Sequence, residues 1–199
     1  MSVCILCKSD ILAKNTMVCG NCWSNIKFLS KTNNTINAVV EYNSTIRQLI
    51  HIFKYNSPWM LCDLFMNWIS LMYKELIQNS EIIIPIPMHK YKLMSRGYNQ
   101  AAVLAKRLSQ TYEKKCIVNG IIRTKNSVSQ SLLKREERLL NIENAFMINS
   151  AKIHLLQNKK ILLIDDVTTT GATLTECIKV LNQANIVNVK ALCIAMTSN

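Results

Sequence analysis

Thirteen consecutive residues, Ile161-Leu162-Leu163-Ile164-Asp165-Asp166-Val167-Thr168-Thr169-Thr170-Gly171-Ala172-Thr173, bring two carboxylates, four threonine hydroxyls and one glycine together. The four leading apolar residues predict a buried strand, and ligands settle at the carboxyl end of such strands in open α/β sheets. Adjacent carboxylates placed there repel each other and need a partner such as sugar hydroxyls or Mg²⁺. Just beyond them, Thr168 to Thr173 offers hydroxyls, backbone N–H groups and the start of a helix, a cradle for phosphate. Gly171 lets the backbone approach an anion with no Cβ in the way. The order suits a phosphorylated sugar, its diol on the acids and its 5′-phosphate on the turn. This reading requires an open turn, and two aspartates not consumed by a salt bridge deep in the core.

A second chemical cluster lies at the start of the chain. Cys4-x-x-Cys7 and Cys19-x-x-Cys22 are separated by eleven residues. Two such pairs can grip a tetrahedral Zn²⁺ with Zn–S distances near ~2.3 Å. Gly20 suits a tight knuckle, and chelation would add folding energy to a segment too small for its own core. A redox role is the alternative, though no thioredoxin-like βαβ context surrounds either pair. Cys62, Cys116, Cys177 and Cys193 fall inside apolar periodic runs and read as core fillers. The start MSVCILCKSD has no basic-then-apolar signal region, so reduced cysteines and a cytoplasmic location are expected. His51, His89 and His154 show no mutual ligand spacing. Only His89, near Pro85-Ile86-Pro87, is a candidate for the site.

The charge is unevenly placed. Net charge is +12, and between His89 and Arg138 twelve Lys or Arg face three Glu. A concentrated positive field suits an anionic partner, either a phosphorylated small molecule or nucleic acid. Pro85-Ile86-Pro87 followed by Arg96-Gly97-Tyr98-Asn99-Gln100 reads as a second ligand loop at a strand end. There Arg96 can offer its planar fork to a pyrophosphate, and Gly97 can relax the backbone beside it. Lys125, Lys134 and Arg135 read as ordinary solvated charges.

Several elements must position these groups. Ser30 to Asn37 reads as a linker, dividing a module at 1–30 from a larger domain at 38–199. Ser44 can cap a helix with Ile46, Leu49, Ile50 and Phe53 inward. Pro58 suits the first turn of a helix running to about Gln78. Asp63, Asn67, Ser70 and Lys74 give that helix a wet face, and its apolar stretch is too short to cross a bilayer, so no membrane insertion is expected. Strands are expected at Glu81 to Ile86, Cys116 to Ile122, Asn144 to Ile148, Lys160 to Ile164 and Val187 to Met196. Helices are expected from Asn99 to about Glu113 and from about Ala172 to Gln183, with a loop and short helix over Thr124 to Asn141. Strands alternating with helices imply a mostly parallel α/β sheet covered on both faces.

The stretch Ile161 to Thr173 resembles the 5-phosphoribosyl 1-pyrophosphate (PRPP) signature of type I phosphoribosyltransferases. Thr168 stands where that signature is usually apolar. Gln130-x-x-Leu133, Arg138-x-x-Asn141 and Ala145-Phe146 extend the likeness. With the paired cysteines, Tyr42, Lys54-Tyr55, Pro85-Ile86-Pro87, Arg96 to Gln100 and Arg123, the chain resembles ComF-type competence proteins, a family that includes the GntX proteins. The resemblance implies a phosphoribosyltransferase-type parallel sheet flanked by helices behind a zinc-ribbon-like module. It further implies a PRPP site served by Mg²⁺, a link to DNA uptake, and Arg96, Gln130 and Arg138 as site-facing side chains. Two functions follow as expectations: a transferase of unknown acceptor, in which Asp165, Asp166 and Arg96 act, or a non-enzymatic PRPP-responsive module engaging single-stranded DNA or an uptake protein. The second lacks an obvious ladder of exposed aromatics, since Trp23, Trp59 and Trp68 are scattered and the last two lie on a helix expected to face the core.

Overall fold

A computed structural model describes residues 2–11, 16–56, 58–124 and 144–197. Strands β1 (Ser2–Val3), β2 (Asp10–Ile11) and helix α1 (Gly20–Trp23) open the chain, followed by β3 (Ile36–Glu41), α2 (Ser44–Tyr55) and α3 (Pro58–Asn79). The order continues with β4 (Ile82–Pro85), α4 (Lys90–Arg96), α5 (Gln100–Thr111), β5 (Lys115–Cys116), β6 (Ile121–Arg123) and β7 (Phe146–Ile148). It ends with α6 (Ile153–Leu156), β8 (Ile161–Thr168), α7 (Ala172–Gln183) and β9 (Val189–Met196).

Five of these strands form one sheet in the order β3-β9-β8-β4-β5, every neighbouring pair parallel. Alternation along the central strands feeds two cores. Leu162, Ile164, Leu192, Ile194 and Ile83 pack with α2, α3 and α5 on one face. Ile161, Leu163, Ala191, Cys193, Ile82 and Ile84 pack with α7 and the β6–β7 hairpin on the other. Both faces are therefore dry, as a parallel sheet of near-continuous apolar strands demands. Cys62, Cys177 and Cys193 are buried in these cores, whereas Cys116 is only half-buried.

Sheet order fixes where a ligand can sit. From β4 the chain crosses through α4 and α5 to β5, on one side. From β8 it crosses through α7 to β9, on the other. The two connections diverge, so a crevice opens between the carboxyl ends of β4 and β8.

Several boundaries differ from the sequence expectation for local reasons. Asn43, not Ser44, caps α2, its side-chain oxygen accepting from the Ile46 N–H at 3.0 Å. The expected linker loses its end to β3, where Asn37 is 2% exposed and its amide donates to the Asn34 carbonyl. The single strand expected over Cys116 to Ile122 is two, β5 in the main sheet and β6 paired antiparallel with β7, the chain turning at Gly120 between them. Trp68 is buried as expected, but Trp59 is 74% exposed, which corrects its assignment to the core face. Asp63, Asn67 and Lys74 do form the wet side of α3. Among the described residues no helix is long and apolar enough to cross a membrane.

The cysteine segment leans on the main body through aromatic rings. Trp23 and Phe28 lie 6.1 Å apart, and both meet Trp68 of α3 edge-on at 5.7 and 5.5 Å. Backbone bonds between Leu29 and Val39 and between Glu41 and Lys27 seat residues 27–29 along the free edge of β3. Such rings add about 0.5–1.5 kcal/mol per pair beyond area burial.

Candidate functional site

Strand β8 runs four residues further than its apolar core, carrying both aspartates into the last hydrogen-bonded pairs of the sheet. A strand alternates its side chains, so consecutive aspartates leave the backbone on opposite sides, yet at this strand end both reach one cavity. Each carboxylate accepts the N–H of the residue after it: Asp165 Oδ1 from Asp166 at 2.8 Å and Asp166 Oδ1 from Val167 at 2.9 Å. On the α2 side, Lys54 Nζ reaches Asp166 Oδ2 at 2.9 Å. Burial opposes the Lys54 charge, but Asp166 and then Asp165 together more than offset it, and the ammonium is held above its ordinary pKa. Asp165 is pushed well above the usual carboxylate range, first by burial and then by the Asp166 charge.

Both aspartates line a cavity of about 200 Å³ in the β4–β8 crevice, together with Lys54, Lys92, Arg96 and Arg123. The Lys54–Asp166 pair thus forms part of the cavity wall, its side chains 26% and 13% exposed, and is not sealed in the core. Among the described residues, four cations face two carboxylates there. Lys92 shows the strain of that crowd, its pKa lowered by burial and then by Arg123, Arg96 and Lys54. An anion entering the cavity would relieve this repulsion.

Arg96 ends α4 and is held in place before any ligand arrives. Its Nη1 donates to Gln100 Oε1 at 2.9 Å, its Nη2 to the Tyr55 hydroxyl at 3.0 Å, and its guanidinium carbon lies 4.8 Å from the Tyr55 ring centre. Gly97 follows in the left-handed region at φ 83°, which turns the chain out of α4. Asn99 then caps α5, and its amide donates to the Ile86 carbonyl at 2.9 Å, tying the Arg96 loop to the end of β4.

The threonine turn is shaped from within. Thr168 is buried and its hydroxyl accepts the Gly171 N–H at 3.1 Å, while Thr170 Oγ1 accepts from Ala172 at 3.4 Å. Thr169 and Thr170 are exposed, and Thr173 lines the cavity. Gly171 opens α7 at φ 75°. A Cβ there would meet Ile36 Cδ1 at an ordinary 3.5 Å, so only backbone strain opposes a side chain. Gly171→Ala is therefore expected to cost about 1–2 kcal/mol, read as a lower denaturant midpoint at unchanged slope.

Of the residues named from sequence, Asp165, Asp166, Val167, Thr173 and Arg96 line one cavity. Gln130 and Arg138 lie outside the described residues. Lys54, Lys92 and Arg123 were not singled out for this site. Lys54 and Arg123 figured only in the family likeness, and local pattern gives no signal for Lys54 or Lys92, since α2 also carries Arg47 and α4 also carries Lys90 and Arg96. His89 sits elsewhere, 5% exposed in the wall of a neighbouring cleft.

The N-terminal cysteines converge as their spacing predicts. The sulfurs of Cys4, Cys7, Cys19 and Cys22 all lie within 4.8 Å of one another and can hold a metal ion such as zinc. Burial raises the Cys4 thiol pKa, but N–H groups of Cys19, Cys7 and Leu6 outweigh it and bring it down to about 6. Cys22 moves the other way, pushed up to about 12 by burial and the neighbouring thiols. A divalent cation would remove that conflict, so the donor set fits zinc.

The chain is similar to several known proteins. The family model for the phosphoribosyl transferase domain matches residues 93–198. Competence protein F of Haemophilus influenzae is 26% identical, over 92% of this chain and 86% of that protein. Competence protein ComFC of Bacillus subtilis is 30% identical over 69% of this chain, and DNA utilization protein YhgH of Escherichia coli K12 is 29% identical over 59%. The chain spans about half the length of these last two, 53% and 51%. A purine phosphoribosyltransferase structure from Pyrococcus horikoshii overlays with a TM-score of 0.43 at 19% identity, over 71% of this chain and 78% of that one. The chain belongs to the phosphoribosyl transferase domain family, within its ComF-type competence branch.

Proposed function

We propose that the β4–β8 crevice binds PRPP with Mg²⁺ and transfers its phosphoribosyl group to an acceptor. One observation carries this reading: Asp165, Asp166 and Thr173 from one stretch of the sequence and Arg96 from another, distant one line a single cavity at the sheet's switch point. Asp165 and Asp166 would hold the ribose hydroxyls. Thr168 to Thr173 would fix the 5′-phosphate at the start of α7. Arg96, Lys92 and Arg123 would face the pyrophosphate and stabilise the negative charge it gains as its bond to C1 breaks. Asp165 and Asp166 would hold a Mg²⁺ arriving with the ligand, and its charge would neutralise part of that negative charge. Both carboxylates line the cavity, and hard oxygen donors of this kind suit that ion.

Arg96 separates binding from geometry. Arg96→Lys keeps the charge but loses the planar fork and its hold on Tyr55, so PRPP affinity is expected to fall about tenfold or more. Calorimetry with PRPP and Mg²⁺ reads that loss, and pyrophosphate release against candidate bases and amines reads the transfer. Unchanged affinity in this variant would remove Arg96 from the site.

The names of the relatives, competence protein and DNA utilization protein, support a role tied to DNA uptake. Within that role, the phosphoribosyl reading has the observations in its favour. Direct contact with single-stranded DNA, if made by the basic face, would weaken steeply with added salt.

A further inference from the structure

Beside the crevice lies a much larger cleft, about 1000 Å³, and the two share a wall made of Pro87, Met88, Asn99 and Arg123. Its lining divides into an apolar part, with Trp59, Leu93, Val103, Ile121 and Ile122, and a cationic part, with Lys90, Lys106, Arg107 and Arg123. Trp59 is 74% exposed and Ile122 39% exposed, so the chain leaves apolar surface standing open where it meets these cations. We infer that this cleft seats the acceptor, and that the acceptor is an anion with an apolar body larger than a single ring.

This rests on the phosphoribosyl reading above and adds the substrate class. Volume sets the size, since about 300–1000 Å³ is the range of pockets for multi-ring ligands. Charge sets the sign: among the described lining residues the four cations face one carboxylate, Asp63, which is itself paired with Arg107 at 3.1 Å. Chemistry sets the protonation state of the nucleophile. Asp63 is taken up by Arg107, and the Nδ1 of His89 accepts the Tyr91 N–H at 3.3 Å, which leaves its Nε2 carrying the proton as a donor. Neither group is placed to remove a proton from an incoming acceptor. An acceptor arriving as its conjugate base needs no such help. Its lone pair forms the bond to C1 as the C1–O bond to pyrophosphate breaks, pyrophosphate leaves with that electron pair, and no proton moves.

The test uses the full, metal-loaded chain and two probes of equal body, 2-naphthoate and the neutral 2-naphthalenemethanol, titrated by calorimetry with and without PRPP and Mg²⁺. Naphthoate is expected to bind about tenfold tighter than the alcohol, the difference one charge-assisted contact supplies. Ile122→Asp, a change at a half-exposed hairpin position, should abolish that preference while PRPP binds as in the wild type. Trp59→Ala, on the surface, should weaken both probes alike. Normal PRPP binding with no preference for naphthoate, or with a preference that Ile122→Asp leaves intact, would overturn the acceptor assignment alone. Failure of PRPP to bind the wild-type chain would overturn the phosphoribosyl reading, and the acceptor role with it.

Discussion

Replacing both aspartates with asparagine is expected to cut PRPP affinity by about a hundredfold or more while leaving the chain folded. Each carboxylate would accept at least one ribose hydroxyl, and hydrogen bonds to charged groups are worth about 1.5–3 kcal/mol each. The amide keeps the shape of the carboxylate, so loss of affinity reads lost charge and acceptor capacity rather than a cavity. Circular dichroism and a cooperative melt would confirm the fold, and calorimetry would read the affinity. Equal affinity in the variant would take Asp165 and Asp166 out of the site.

The single change Asp165→Asn carries a second, opposite expectation. The Asp165 pKa is raised in the folded chain by burial and by Asp166. Its ionisation therefore costs nothing below the unfolded pKa and the full penalty above the folded one, so ligand-free stability from this group falls as pH rises through that window. Asn removes the penalty. At neutral pH the variant should melt above the wild type while binding PRPP worse, the trade expected of a group retained for function. A lower melting point would mean that Asp165 is structural.

The other large effect lies in the cysteine cluster. Cys4→Ser removes a buried sulfur around which Cys7, Cys19 and Cys22 gather. Zinc content should drop from about one per chain to near zero, and the segment that Trp23 and Phe28 seat against Trp68 should loosen. A loss of about 3 kcal/mol would lower the melting temperature by about 6–12 °C in a chain of this size. Mass spectrometry under native conditions reads the metal and calorimetry the melt. A variant with full metal content would exclude Cys4 as a ligand.

Much of this site was legible because its parts are local. Helix α7 spans Ala172–Gln183 as its periodicity indicates, and Ile161 to Ile164 form a buried strand, since a run of only four apolar residues between a lysine pair and two acids is too short for a buried helix. The cysteine quartet was legible from spacing alone. What sequence could not show depends on contacts between distant segments. Lys54 meets Asp166 across more than a hundred residues, and nothing in the helical pattern of α2 distinguishes it from an ordinary surface lysine. Trp59 belongs to an apolar run, yet the first turn of α3 overhangs the cleft, so it is exposed where periodicity places it inside. The opposed faces of Asp165 and Asp166 also follow only from β8 continuing through them to Thr168, a length decided by pairing with β9.

A crystal grown with PRPP and Mg²⁺ addresses the central claim most directly. The account expects sugar density between the carboxylates of Asp165 and Asp166, the 5′-phosphate at the start of α7, and pyrophosphate against Arg96. Density confined to some other part of the surface, with the β4–β8 crevice holding only solvent at saturating ligand, would contradict it.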